Sequence, residues 1–163
     1  MNIEKIGIIG GGLMGSGIAE INARAGLSVV IVEVDDTGIA RAQERISVSL
    51  DRAESRGKIT AEDAQAVRDH IRYTTDLADL ADRDLVIEAA SEHENTKLGI
   101  FEKVGKILEN PNAVLASNTS SIPIVKLGAI SGRPDRVMGV HFFNPAPVMK
   151  LVELIPSLTT SEE

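Results

Sequence analysis

The sequence predicts a doubly wound α/β domain: a mainly parallel sheet covered by helices on both faces, with a helical hairpin inserted after the second strand. Three observations carry that prediction. Short apolar runs alternate with stretches of helical period, a glycine cluster stands between the first run and the first helix, and the opening strand, helix and strand require a parallel pair joined by a right-handed crossover.

The elements follow in order. Residues 5–9 are an apolar run of strand length, and residues 13–25 carry a helical period that Gly26 closes. Residues 28–32 form a second apolar run that ends in Glu33, Val34, Asp35 and Asp36. Residues 37–56 read as a long amphipathic helix and 60–71 as a second, with Thr60, Glu62 and Asp63 at its start, so the two make a hairpin. Residues 84–89 are a buried strand, 95–108 a helix and 113–117 another strand, with Pro111 and Asn112 at the turn between the last two. A short helix at 122–130, a strand at 136–141 and a last strand around 150–155 complete the pattern.

Composition narrows the function classes. A chain of 163 residues fits one domain and buries roughly 70% of its unfolded surface. The absence of cysteine excludes thiolate catalysis and Cys-based metal sites, and no metal is expected. A net charge of −7 argues against nucleic acid as a partner, because an acidic surface repels a polyphosphate. No window reaches the ~20 apolar residues of a membrane span, and the N-terminal MNIEKIGIIGGG lacks a basic region before a long apolar core, so a cytoplasmic protein without a membrane partner is expected.

Gly10, Gly12 and Gly15 form GxGxxG directly between strand and helix, the fingerprint of a Rossmann-type dinucleotide site. The first glycine permits the turn, the second lets the backbone approach a pyrophosphate, and the third allows close helix packing. Glu33, at the end of the second strand, is placed to accept hydrogen bonds from the adenosine ribose. With Asp35 and Asp36 beside it and no arginine adjacent, the cofactor expected is NAD and not NADP.

Residues 117–121, Ser-Asn-Thr-Ser-Ser, follow a buried strand, and on spacing alone they read as a polar turn with a helix cap. His141 ends another strand, and Phe142 and Phe143 read most simply as core. His141, Glu153 twelve residues later and Ser120 twenty-one earlier nonetheless supply a base, a carboxylate and a hydroxyl, the parts of a proton-transfer device. Glu92 and Lys97 alone read as a helix-start acid and a surface lysine, and His70 as exposed and structural.

The runs IGGGLMGSGIA, IEAASE, SNTSS and HFFNPAPVMKLVE, with the acid after VVIV, together resemble the NAD-binding domain of the L-3-hydroxyacyl-CoA dehydrogenase family, in its bacterial 3-hydroxybutyryl-CoA branch, from Ile6 to Glu153. The resemblance implies that His141 is the catalytic base, Glu153 its partner, and Ser120 a hydroxyl touching substrate oxygen beside both cofactor and coenzyme A. It implies that Leu13 and Met14 belong with the glycines to the cofactor cradle, that Glu92 and Lys97 lie near the nicotinamide ribose, and that Asn144 contacts the nicotinamide side. The family usually has asparagine where this chain has His93. Ser49, Arg52 and Arg56 share a helix face, and similar positions in the family contact coenzyme A.

The expected activity is NAD-dependent oxidation of the 3-hydroxyl of a short 3-hydroxyacyl-CoA. Residues 1–163 are expected to be the cofactor-binding domain without the family's C-terminal helical domain, which closes over substrate and forms most of a homodimer interface. Such a chain should bind NAD, turn over poorly and self-associate through an uncovered apolar face. A module that binds NAD without catalysis, a bulk structural role, and a dehydrogenase of a non-CoA hydroxy acid are the alternatives.

Overall fold

The structure, a computed structural model, describes residues 2–162. Among them seven strands, β1 (Lys5–Ile9), β2 (Ser28–Val32), β3 (Ile71–Thr74), β4 (Leu85–Glu88), β5 (Val114–Ser117), β6 (Val137–Phe142) and β7 (Val152–Pro156), form one sheet in the order β3-β2-β1-β4-β5-β6-β7. All neighbours are parallel except β6 and β7, which are antiparallel. The helices are α1 (Leu13–Arg24), α2 (Asp36–Ser55), α3 (Ala61–Asp69), α4 (Glu94–Ile107) and α5 (Ile124–Ser131).

Side chains of β1 alternate across the sheet, as its twofold period requires. Ile6 and Ile8 join a core with Ile18, Ile46, Leu50 and Val67 from α1, α2 and α3. Ile9 joins a second core with Phe101, Val104 and Leu127 from α4 and α5. The order reverses between β1 and β4, and in an open sheet of this kind the crevice outside the strands' carboxyl ends at such a reversal is where ligands bind.

One sequence expectation needs correction. The helix expected to run to residue 71 stops at Asp69, with His70 as its exposed cap, and residues Ile71–Thr74 form the edge strand β3 against β2. Four residues are too few to show an alternating period, while the ladder bonds that define them come from a strand far away in sequence. A 3₁₀ turn at Leu77–Leu80 follows and seats Leu80 over Gly7, where a Cβ would stand 2.6 Å from it. The hairpin itself is present: a reciprocal cap between Thr60 and Asp63 starts α3, and Arg68 reaches Asp51 of α2 at 2.9 Å.

Candidate functional site

The turn from β1 into α1 is made almost wholly of backbone. Gly10 has φ +93°, and a Cβ there would stand 3.0 Å from the carbonyl of Ala89, so this turn lies directly against the end of β4. A Cβ on Gly15 would fall 1.8 Å from the Gly10 carbonyl oxygen, whereas one on Gly12 would meet nothing within 4 Å. Helix α1 starts with no side-chain cap and no acid in its first turn, so its free amides face open space with the positive end of the helix dipole behind them. That is a cradle for an anionic group, and a diphosphate fits it.

Glu33 stands beside the cradle. One carboxylate oxygen accepts from the Gly11 amide at 2.6 Å and the other from Val34 at 3.2 Å, so the side chain braces the turn as well as facing the cavity. Lone pairs remain for a ligand hydroxyl. Asp35 is occupied in capping α2, accepting from Gly38 at 2.7 Å. Gly11, which the motif leaves unspecified, is also required: Ala42 of α2 would stand 2.5 Å from its Cβ. A cavity of about 540 Å³ opens here, lined by Gly10, Gly12, Glu33, Ala89 and Ala90 among others.

Ala89 and Ala90 are shared with a second cavity of about 370 Å³, which Met14, Glu92, Lys97, Ser120, His141 and Asn144 also line. His141 and Glu153 are directly opposed in the antiparallel register of β6 and β7, and Nδ1 of His141 lies 2.8 Å from Glu153 Oε2. A carboxylate only accepts, so Nδ1 carries the hydrogen and Nε2 keeps its lone pair for another proton. Phe143 meets the imidazole edge-on at 4.8 Å and lines the cavity, so it is not core as expected; Phe142 packs against the first core. Asn118 fixes the approach of β6 by accepting from the Phe142 amide at 2.8 Å.

The hydroxyl run divides its labour in a way that spacing does not reveal. Ser117 donates to Glu88 at 2.6 Å, and Thr119 and Ser121 both donate to Glu92. Ser120 alone is exposed and without a partner among the described residues. Lys97 is not a surface lysine: it is 1% exposed, with its ammonium at 2.6 and 2.8 Å from the two oxygens of the fully buried Glu88 and 3.2 Å from Glu92. Burial pushes the Glu92 carboxyl up, but the bonds from Thr119, Lys97 and Ser121 and the Lys97 charge outweigh it and hold the group below its usual range. The strand-end acid Glu88, nine residues before a lysine, is the sequence signal for this cluster.

Asn144 joins this cavity to a third of about 460 Å³ between α1 and α2, which Leu13, Glu20, Ser49 and Arg52 also line. Leu13 thus lines this third cavity and not the one at the cradle. Ser49 and Arg52 continue into a fourth cavity, of about 270 Å³, with Arg56, Arg24 and Lys58. Sequence reasoning missed the last two cations, which reach the helix face from other elements. The sites expected for cofactor, base and coenzyme A thus form one continuous trench, with Gly15 beneath it as packing and Glu153 behind His141.

A glycine cradle and a His–Glu pair near the same end of one sheet define the class: a nucleotide-binding domain of the dehydrogenase type. The chain belongs to the family described as 3-hydroxyacyl-CoA dehydrogenase, NAD binding domain, whose profile matches residues 5–163. It is 49% identical over 160 residues to a 3-hydroxybutyryl-CoA dehydrogenase of Mycobacterium tuberculosis, covering 98% of this chain and 56% of that protein. It is 41% identical over 163 residues to the 3-hydroxyadipyl-CoA dehydrogenase of Escherichia coli, covering 34% of that longer protein. The crystal structure of (S)-3-hydroxybutyryl-CoA dehydrogenase PaaH1 from Ralstonia eutropha superposes with a TM-score of 0.96 at 43% identity, over 99% of this chain and 56% of that one. The chain spans about half the length of the 3-hydroxybutyryl-CoA dehydrogenases it matches. Among the described residues no helix is long and apolar enough to cross a membrane.

Proposed function

We propose that this chain is the cofactor-binding and proton-accepting part of an NAD-dependent 3-hydroxyacyl-CoA dehydrogenase, with a short acyl chain such as 3-hydroxybutyryl as substrate. The observation that carries the reading is the His141–Glu153 pair, 2.8 Å apart, in a cavity contiguous with the glycine cradle. NAD, when bound, supplies the acceptor for the hydride leaving C3. Gly10, Gly12 and the first amides of α1, from Leu13 and Met14, hold its diphosphate, Glu33 its adenosine ribose, and Glu92, Lys97 and Asn144 border its nicotinamide half.

His141 Nε2 takes the proton from the 3-hydroxyl as the hydride departs, and Glu153 holds the tautomer and stabilises the resulting imidazolium. Ser120, the one uncommitted hydroxyl of its loop, donates to the substrate oxygen. Ser49, Arg52 and Arg56, with Arg24 and Lys58 beside them, hold the phosphates of coenzyme A. The setting we propose is a cytoplasmic homodimer of longer chains. In the 163-residue chain Glu153 is half exposed, so water reaches the His141–Glu153 pair, substrate is loosely oriented and turnover is low.

Titration of the chain with NADH and NADPH, beside steady-state oxidation of 3-hydroxybutyryl-CoA, tests the proposal. NADH binding tighter than NADPH is expected, with slow but His141-dependent turnover. Tighter NADPH binding would remove the role of Glu33, and undiminished turnover by His141→Gln would remove that of the base.

A further inference from the structure

The cluster at the end of β4 holds two carboxylates and one ammonium. Glu88 is fully buried and surrounded by donors, taking both short contacts from Lys97, one from Ser117 and one from the Ala90 amide at 2.7 Å. That pair cancels inside the protein. Glu92 reaches Lys97 only at 3.2 Å, and its side chain is 43% exposed, at the wall of the cavity that His141 lines. The charged or titratable residues lining that cavity are Glu92, Lys97 and His141, and its other lining side chains are neutral. With Lys97 matched by Glu88, and with His141 backed by Glu153 outside the lining, Glu92 is the one carboxylate at the cavity wall whose charge is left over.

On the cofactor reading proposed above, this cavity receives the nicotinamide end. The two redox forms differ there by a full charge, since the ring is a cation when oxidised and neutral when reduced. A fixed negative charge nearby stabilises the cation and leaves the neutral ring almost untouched. We propose that Glu92 sets the redox preference of this site, strengthening NAD relative to NADH. The surrounding bonds serve that task. Thr119 and Ser121 fix the carboxylate from the loop side, and Glu88, with the two shorter contacts, shares the single Lys97 charge that Glu92 reaches at 3.2 Å.

The test is the ratio of dissociation constants, Kd(NAD)/Kd(NADH), read by NADH fluorescence titration and by displacement of bound NADH with NAD. Three forms of the 163-residue chain are compared: the parent, Glu92→Gln and Glu92→Asp. The glutamine keeps most of the size and hydrogen bonding but loses the charge, and its ratio should rise about threefold to tenfold. The aspartate keeps the charge and should stay near the parent. Glu33→Gln, at the far end of the cofactor, should move both constants together. A ratio unchanged in Glu92→Gln, or raised equally in Glu92→Asp, overturns the inference and leaves the cofactor reading intact. Failure of the parent to bind either form overturns both.

Discussion

The two ends of the trench are built from different materials. At the β1–α1 turn the working groups are amides and the spaces between glycines, and among the described residues Glu33, Ser16 and Arg45 reach the turn with side chains. At the ends of β4, β5 and β6 the working groups are side chains: a buried ion cluster, a free hydroxyl and a His–Glu pair across an antiparallel register. A backbone-built site tolerates no added atom at Gly10, Gly11 or Gly15, where a Cβ would collide with the fold itself. A side-chain-built site can lose its chemistry while keeping its fold.

The strongest break of this contrast is sought at Gly15. Its Cβ would stand 1.8 Å from the Gly10 carbonyl, and Gly10 cannot retreat because its amide is bonded to Val32 at 2.9 Å and its other side is closed by Ala89 and Ala90. Gly15→Ala is expected to cost about 3 kcal/mol or more and to abolish NADH binding, read by thermal unfolding and titration. A parent-like melting temperature would mean that the turn has slack the glycine spacings do not show.

Lys97→Met comes next. It leaves Glu88 buried with Ser117 and Ala90 as its remaining donors, a loss of about 3–5 kcal/mol at neutral pH by urea unfolding. That makes one part of the reacting end as intolerant as the turn, for reasons of charge and not of space. A neutral outcome would show that Glu88 takes up a proton at little cost. His141→Gln sharpens the other side of the contrast. Measured on a full-length enzyme, turnover should fall by ~10²–10⁴, while unfolding of the chain shifts by less than about 1 kcal/mol, because the ring is only partly buried, its partner is half exposed and a glutamine can still donate to Glu153.

The same difference in materials governed what could be read from sequence. The turn was legible because glycine spacing records steric necessity: only Gly10 admits that φ, and only Gly15 fits under it. The mainly parallel, doubly wound sheet around it followed from alternating apolar runs. At the reacting end the participants could be named by resemblance, but their contacts depend on elements distant in sequence. Glu88, nine residues before Lys97, is the one signal that the lysine is buried, and nothing local says which hydroxyl among residues 117–121 is free. Arg24 and Lys58 escaped notice for the same reason, joining the Arg52 face only in three dimensions. The strand β3 was missed because its four residues have no period of their own, only a register with β2.

The smallest expected effect is at Glu92, where charge and shape can be separated by pH. Hydrogen bonds from Thr119, Lys97 and Ser121 and the Lys97 charge prevail over burial, so the folded carboxyl titrates below the 4.5 it has without them. A depressed carboxyl contributes stability that is fully present above the unfolded value and is lost as pH falls through the folded one. Glu92→Gln should therefore be less stable than the parent at neutral pH, with the gap closing as pH drops below 4.5. Because the side chain is 43% exposed, water screens the interaction and the gap should stay under about 1 kcal/mol. Unfolding of both forms across the acid range measures it. A gap that persists unchanged to about pH 3 would mean that the amide disturbs packing against Thr119 and Ser121. The reacting end would then rest on shape as much as the glycine turn does, and the division between the two would fail where it is thinnest.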